Sequence, residues 1–286
     1  MVVLITGANG QLGQAIQSIA QQYPAINFIF CSSQELDITK EEAINTLFLE
    51  VKPDFCINTA AYTAVDKAES EPEKAHLINA VGPGNLAAIC KKTNTTLLHI
   101  STDFVFDGQA TAPYSEKATT NPQSVYGQTK LDGEKAVQAI WEKHFIIRTS
   151  WVYSQFGANF MKTMLRLGAE RDSLSVVNDQ IGTPTHAVDL AEAIIEIIKH
   201  TQNLKSETSN LKSIYGIYNF SNESQCSWYD FAKKIFEVNM IQINLLPIST
   251  TDYPTPAKRP KYSVLEKTKI KETFGIKIKN WDKRVE

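Results

Sequence analysis

The chain has 286 residues, 43% of them hydrophobic and 21% charged, with a formal net charge of −2. This composition is typical of a globular protein of one large or two modest domains, and the weak charge argues against nucleic acid as a partner. No stretch approaches the roughly 20 apolar residues of a membrane-spanning helix. The N-terminus lacks a basic leader. The four cysteines are scattered, and no His or Cys cluster has metal-ligand spacing, so we expect a cytoplasmic protein without a metal.

The first strand is predicted at residues 2–6, a short β-branched run typical of a buried parallel strand. Gly7, Gly10 and Gly13 follow, and residues 14–22 have a helical pattern. A glycine turn between a strand and a helix lets a pyrophosphate approach the backbone at the helix N-terminus. The trio therefore indicates a dinucleotide cradle, although an ordinary tight turn fits the same residues.

A second strand is predicted at residues 27–31 and is followed by Ser32, Ser33 and Gln34. An acid at this point binds the ribose 2′-hydroxyl of NAD, and an Arg accommodates the 2′-phosphate of NADP. Neither is present in this stretch, so NADPH is favoured over NADH while both remain permitted. Asp37 either caps the loop before a helix at 40–51 or lies beside the adenine.

A third strand at residues 55–58 runs into a stretch of small residues at 59–69. Ligands of open α/β sheets bind at the carboxyl ends of strands, where small residues let them pack against the backbone. Thr63, Asp66 and Lys67 therefore either face cofactor and substrate or form a polar loop with a helix cap. A long helix is predicted at 76–92.

Strands at 96–100 and 145–149 continue the alternation, which predicts an α/β fold with a Rossmann-type, doubly wound parallel sheet. Between them, Tyr126 and Lys130 lie four residues apart and so share one face of a helix. A nearby ammonium lowers the pKa of a phenol, which would make Tyr126 a proton donor. Thr102, at the end of the fourth strand, would complete a Thr–Tyr–Lys set by donating a hydrogen bond to a substrate carbonyl oxygen. An amphipathic surface helix is the alternative for the Tyr–Lys pair.

The C-terminal part is predicted to form a smaller substrate-binding α/β domain. We assign residues 1–152 and about 174–220 to the dinucleotide-binding domain, and about 153–173 and 221–286 to the substrate domain. The polar stretch 200–213 predicts a surface loop, and 250–260, with three prolines, an extended loop. Lys258 and Arg259 in this loop either meet a nucleotide diphosphate or form a solvated basic turn.

Seven segments then resemble, in order, the dTDP-4-dehydrorhamnose reductase family of extended short-chain reductases. They are 7–13 (GANGQLG), 58–69 (NTAAYTAVDKAE), 101–106 (STDFVF), 126–130 (YGQTK), 148–153 (RTSWVY), 178–185 (NDQIGTPT) and 253–260 (YPTPAKRP). The resemblance runs over nearly the whole chain. The segments at 58–69 and 149–153 are the most specific, because the glycine trio and Tyr-x-x-x-Lys are common to the whole superfamily.

The resemblance implies a role for each matching residue. The pyrophosphate would lie on Gly7, Gly10, Gln11, Leu12 and Gly13, with the adenine between Asp37 and Ile38. Ala60, Ala61, Tyr62 and Thr63 would line the cofactor towards the nicotinamide, where Lys130 holds the ribose beside Tyr126. The sugar would contact Thr63, Thr102, Asp103 and Trp151, and Arg259 would contact the substrate's diphosphate.

The family further implies NAD(P)H-dependent reduction of the C4 ketone of dTDP-4-dehydro-L-rhamnose to dTDP-L-rhamnose, with Tyr126 as proton donor. Two alternatives remain, another nucleotide-sugar epimerase or dehydratase of the superfamily, and a non-catalytic regulatory subunit of the same fold. Some family members bind magnesium at a dimer contact through an acid on the first helix. The first helix here reads Gln14-Ala15-Ile16-Gln17, so we expect no magnesium, and a homodimer through another surface remains open.

Overall fold

A computed structural model describes residues 1–204 and 214–285 of the chain. The strands are β1 Val2–Thr6, β2 Asn27–Cys31, β3 Phe55–Asn58, β4 Thr96–Thr102, β5 His144–Thr149, β6 Val152–Tyr153, β7 Ser173–Val177, β8 Ile181–Gly182, β9 Thr185–His186, β10 Gly216–Asn219, β11 Cys226–Ser227 and β12 Asn244–Ile248. The helices are α1 Gln11–Ile19, α2 Glu41–Val51, α3 Val65–Ala68, α4 Pro72–His76, α5 Gly82–Thr93, α6 Val125–Ile140, α7 Phe160–Glu170, α8 Ala187–Leu204, α9 Trp228–Val238 and α10 Thr268–Phe274.

Six strands form one parallel sheet in the order β10-β5-β4-β3-β1-β2. The chain leaves β1 towards β2 on one side and returns to β3 on the other, so strand order reverses there. In open α/β sheets, ligands bind at such a switch point, outside the carboxyl ends of the strands. The turns after β1 and β3 therefore mark the expected binding edge.

Helices cover both faces of this sheet, which confirms the predicted doubly wound architecture. Apolar side chains of α1 and α8 pack on one face, and those of α2, α5 and α6 pack on the other. The strands β1, β3 and β5 are almost entirely buried between helices, so they are largely apolar on both faces rather than alternating.

A smaller body of structure follows the fifth strand. Here β7 pairs with β12 in a two-stranded parallel sheet, and α7 and α9 pack with them around Tyr153 and Phe231. β10, by contrast, joins the edge of the large sheet. The division into two domains at the boundaries given above stays a prediction.

Two predicted elements differ from the structure. The helix predicted at 76–92 begins already at Pro72, because Pro suits the first turn of a helix, and it widens into a π-helical segment at Leu77–Val81. The polar stretch 200–213 begins as helix, since α8 continues to Leu204, and residues 205–213 lie outside the described part. Among the residues that the structure describes, no helix is long and apolar enough to cross a membrane.

Candidate active site

The turn after β1 is shaped by Gly7, which has a φ of +69°. A Cβ at this position would lie 2.6 Å from the backbone nitrogen of Ala60, in the turn that follows β3. The two turns at the switch point therefore touch backbone to backbone, which only glycine allows. Gly13 packs as closely, since a Cβ there would lie 2.5 Å from the carbonyl oxygen of Ala8.

The N-terminus of α1 opens towards this turn. Gly10 is its N-cap, no described side chain caps the helix, and the first turn contains no acidic residue. A Cβ on Gly10 would meet the carbonyl oxygen of Gly7 at 3.1 Å. The helix end thus keeps backbone N–H groups and a positive dipole end for an anion, a cradle that fits a dinucleotide pyrophosphate.

The side chains of Gln11 and Leu12 make their contacts away from this cradle. The Gln11 amide donates to the Val152 carbonyl at 3.1 Å and accepts from Asn159 at 2.7 Å and Ser154 at 3.0 Å. Leu12 is buried in the core beneath the sheet. The Gln11 side chain therefore ties the cradle to the segment after β6 instead of pointing to a ligand.

Glu35 is an acid four residues after the end of β2, just beyond the stretch 32–34 that contains none. The Glu35 carboxylate turns back and accepts the backbone N–H of Ser32 at 2.7 Å, and this bond lowers the pKa of Glu35. Asp37 accepts both the N–H and the hydroxyl of Thr39, so its carboxylate does cap the loop. The side chain of Ile38 is buried against Gly82.

The turn after β3 is held by Asn79, a buried residue of the π-helical segment. Its side chain accepts from the N–H of Tyr62 at 2.8 Å and donates to the carbonyl of Tyr62 and the hydroxyl of Thr129. π-helical segments recur at functional sites, and this one links the turn to α6. Ala60 and Ala61 are half-buried along the turn, and Thr63 is exposed at its end.

Thr102 closes β4, and Asp103 follows it into the site. The Thr102 hydroxyl donates to Oδ1 of Asp103 at 3.0 Å and accepts the N–H of Phe104 at 3.3 Å. Asp103 is 2% exposed, and its Oδ2 has no hydrogen-bond partner among the described residues. Burial raises the pKa of Asp103 to about 6.

Tyr126 lies in the first turn of α6, which is capped by the Ser124 hydroxyl. Its ring packs edge-on against Phe104 at 5.5 Å between centroids. Burial raises the pKa of Tyr126 to about 12, and the Thr102 hydroxyl opposes this rise. The expectation that Lys130 lowers this pKa is therefore wrong for this structure. The reason is geometric, because the ammonium of Lys130 donates to the Ile100 carbonyl at 2.6 Å.

Lys130 is almost completely buried, and burial lowers its pKa to about 8, which the carboxylate of Glu134 opposes. Glu134 itself forms a buried bidentate pair with Arg148, at 2.6 and 2.9 Å, and accepts the Ser101 hydroxyl. Removing one partner of such a pair leaves an uncompensated buried charge. The pair therefore fixes α6 to β4 and β5 directly beneath the Tyr–Lys face.

Trp151 follows β5 in the left-handed conformation, with a φ of +47°. Its indole stacks on Trp228 with 3.5 Å between ring centroids, and a Cβ on Gly182 would lie 2.5 Å from the indole. A bulky residue with positive φ is strained and persists only where its surroundings determine it. The stack holds one partly buried indole at the edge of the site.

Arg259 is not a solvated basic residue. Its Nη2 donates to Asp66 at 2.7 Å, and its Nη1 is buried without a partner among the described residues. Asp66 also accepts the N–H of Ala257 at 3.2 Å, so it anchors the proline-rich loop. Lys67, in contrast, faces solvent near Glu71, and Lys258 bonds Gln123 on the surface.

In the residues that the structure describes, no group of three or more His, Cys, Asp or Glu side chains is placed to hold a metal ion. The four cysteines are buried thiols without disulfide partners.

A parallel sheet with a glycine turn at its switch point, and a Thr, a Tyr and a Lys at its carboxyl edge, defines the short-chain dehydrogenase/reductase class. The family model described as RmlD substrate binding domain matches residues 1–286. A dTDP-4-dehydrorhamnose reductase of Aggregatibacter actinomycetemcomitans is 41% identical, over 98% of this chain and 96% of the relative. The chain belongs to the dTDP-4-dehydrorhamnose reductase family.

Solved structures agree with this assignment. A dTDP-4-dehydrorhamnose reductase of Clostridium acetobutylicum superposes with a TM-score of 0.91 at 44% identity, covering 100% of this chain and 97% of that one. The enzyme of the same name from Bacillus anthracis, in complex with NADP, gives 0.90 at 39% identity, covering 99% and 96%.

Proposed function

We propose that this protein reduces the C4 ketone of dTDP-4-dehydro-L-rhamnose to dTDP-L-rhamnose with NADPH or NADH. This is the final step of dTDP-rhamnose biosynthesis, which serves cell-surface polysaccharides such as O-antigen. The observation that carries the proposal is the meeting of Thr102, Tyr126 and Lys130 at the end of β4, in a chain that matches reductases of this name over nearly its full length. The buried free thiols favour a cytoplasmic location.

The cofactor would lie across the switch point. Gly7, Gly10 and the first N–H groups of α1 would hold its pyrophosphate, and the turn at 60–63 would lead towards the nicotinamide. When bound, the nicotinamide supplies the hydride for C4. The lack of an acid at residues 32–34 favours NADPH, whereas the Glu35 carboxylate just after them favours a ribose hydroxyl over a phosphate. Both NADH and NADPH are therefore expected to serve.

Tyr126 would give its proton to the C4 oxygen. Because its pKa is raised to about 12, the phenol stays protonated at neutral pH. An alkoxide is a stronger base than a phenolate, so the transfer remains favourable as negative charge develops on the oxygen. Lys130, which lies one helical turn further along α6, would hold the nicotinamide ribose.

The substrate would extend from Thr102 and Asp103 towards the C-terminal loop. Trp151 offers an apolar face to the deoxyhexose ring. Arg259 offers its unpartnered Nη1 to the diphosphate, since guanidinium groups match phosphate oxygens. Thr63, exposed at the end of the turn after β3, would complete the sugar contacts.

The test is to follow oxidation of NADPH, and separately of NADH, on addition of dTDP-4-dehydro-L-rhamnose, with the product identified by NMR. Tyr126→Phe should lower kcat by about 10²- to 10⁴-fold, the usual worth of a positioned general acid, without a change in Tm. Tyr23→Phe, at a partly exposed tyrosine between α1 and β2, is the control and should turn over normally.

Near-normal turnover by Tyr126→Phe would contradict the proposal. Tightly bound NAD in the purified protein, with no net oxidation of added cofactor, would instead favour a nucleotide-sugar epimerase.

A further inference from the structure

The single hydroxyl hydrogen of Thr102 has more than one acceptor within reach. It is donated to Oδ1 of Asp103 at 3.0 Å, while the same hydroxyl lies beside the phenol of Tyr126, whose pKa is raised by burial and held down by Thr102. A hydroxyl has one hydrogen and two lone pairs. Thr102 therefore cannot serve Asp103 and a reacting oxygen as donor at the same time.

Asp103 is placed to decide between these acceptors. It is 2% exposed, and its second oxygen, Oδ2, is buried without a hydrogen-bond partner among the described residues. Burial removes this carboxyl group from water, which favours its neutral form over the ionised carboxylate. Burial raises the pKa of Asp103 to about 6, against the hydroxyls of Ser263 and Thr102.

The other ionisable groups that face Asp103 have pKa values well away from its own, so the titration of Asp103 can be observed separately. Tyr126 on α6 titrates only near pH 12, and Ser263 of the C-terminal loop carries no charge. Arg259, whose guanidinium stands 5.9 Å from the centre of the Phe104 ring, is already paired with Asp66. Lys130 titrates higher, at about 8.

We propose that Asp103 is a positioning residue whose protonation sets the direction of the Thr102 hydrogen bond. This inference rests on the proposed reduction of the C4 ketone. As a carboxylate, Asp103 takes the hydrogen of Thr102, and the hydroxyl presents a lone pair to the reacting oxygen. As a neutral carboxyl, Asp103 donates to Thr102 Oγ1, which frees the hydroxyl hydrogen for the charge developing at the C4 oxygen. The neutral acid is the competent form.

This assignment predicts a pH profile in which kcat/KM decreases as pH rises, which we call the descending limb. Asp103 is neutral below its pKa and ionised above it, so kcat/KM should fall by about tenfold as pH rises through the region of its pKa, the worth of one hydrogen bond to a developing charge. Bound substrate brings a negatively charged diphosphate towards the site, which disfavours the carboxylate, so the inflection in kcat should lie at higher pH than that in kcat/KM.

Three variants isolate the effect. Asp103→Asn keeps a donor for Thr102 but does not titrate, so it should hold its low-pH kcat/KM through neutral pH and lack the limb. Thr102→Val should lower kcat and also lack the limb, because no hydroxyl remains to turn, whereas Thr102→Ser should restore both. Asp132→Asn, at a partly exposed carboxylate on α6, is the matched control and should keep the wild-type profile.

A second readout needs no turnover. Carbon-13 NMR of protein labelled at the aspartate carboxyl carbons should show one signal, absent from Asp103→Asn, that titrates near pH 6. A wild-type limb that persists unchanged in Asp103→Asn or Thr102→Val overturns the inference while leaving the reduction intact. A limb that rises with pH also overturns it, because the carboxylate would then be competent. Absence of any turnover by the wild type would contradict the proposed function instead.

Discussion

The two walls of the candidate site are built in different ways. The dinucleotide wall is mainly backbone, since Gly7 and Gly10 lie in one short turn closed by a 2.9 Å bond between Gly10 N–H and the Gly7 carbonyl. The opposite wall consists of side chains from distant parts of the sequence. Arg259 meets Asp66 across 193 residues, and Trp151 stacks on Trp228.

This difference determines which kind of substitution disrupts binding at each wall. A backbone wall is damaged by an added atom, because the space for a Cβ is already taken. A side-chain wall is damaged when a charge or a ring is removed, because its partner then loses its anchor. Binding of the dinucleotide and binding of the sugar nucleotide should therefore be separable by substitution.

Gly7→Ala tests the backbone wall and should have the largest effect. The methyl group would lie 2.6 Å from the backbone of Ala60, and the residue would keep a φ of +69°. Left-handed backbone alone costs about 1–2 kcal/mol for a residue with a Cβ, and the clash adds displacement of the turn. We expect a lower Tm and dinucleotide affinity weakened by more than about 100-fold, measured by calorimetry.

Gly275→Ala is the matched control for this substitution. Gly275 has a similar φ of +67°, but nothing lies within 4 Å of its added Cβ. The control should lose stability through its backbone conformation alone and bind the dinucleotide normally. Equal affinity for dinucleotide in the two variants would show that the contact between the two turns does not shape the cradle.

Arg259→Gln tests the side-chain wall and should have an intermediate effect. Loss of a charged hydrogen bond to the diphosphate should raise the KM for the sugar nucleotide by about 10- to 100-fold, with unchanged affinity for the dinucleotide. Lys258→Gln, at the neighbouring surface cation, is the control. Equal KM changes in the two variants would show that Arg259 makes no specific contact with the diphosphate.

Glu35→Gln sharpens the comparison at the far end of the backbone wall and should have the smallest effect. Glutamine keeps an acceptor for the Ser32 N–H but removes the negative charge from the end of β2. The KM for NADPH should fall by about fivefold at most, as expected for an exposed charge, while that for NADH stays constant. Glu41→Gln, at an exposed acid of α2, should change neither, and an equal shift for both cofactors would contradict the assignment.

The parts of the fold that depend on local pattern were predictable. The buried strand at Phe55–Asn58 and the edge strand at Asn27–Cys31 follow from short apolar runs, and they lie at the predicted residues. The parallel order follows from the alternation of strands and helices. The six-stranded sheet confirms this prediction.

The contacts within the site were harder to predict from the sequence, because they depend on which loops meet in the folded chain. Nothing local indicates that Asn79 would bind the turn at Tyr62, or that Glu35 would fold back on Ser32. The pKa of Tyr126 was misjudged because sequence spacing places Lys130 on the correct helix face without showing that its ammonium bonds the Ile100 carbonyl.

The Asp66–Arg259 ion pair has a consequence for the order of folding. Closing a loop of 193 residues lowers chain entropy before the contact can compensate, so such contacts form late. During refolding, the glycine cradle should regain dinucleotide binding before the proline-rich loop docks. Dinucleotide present at that moment would bind and stabilise the half-formed molecule, and the sugar-nucleotide site would be the last part of the enzyme to mature.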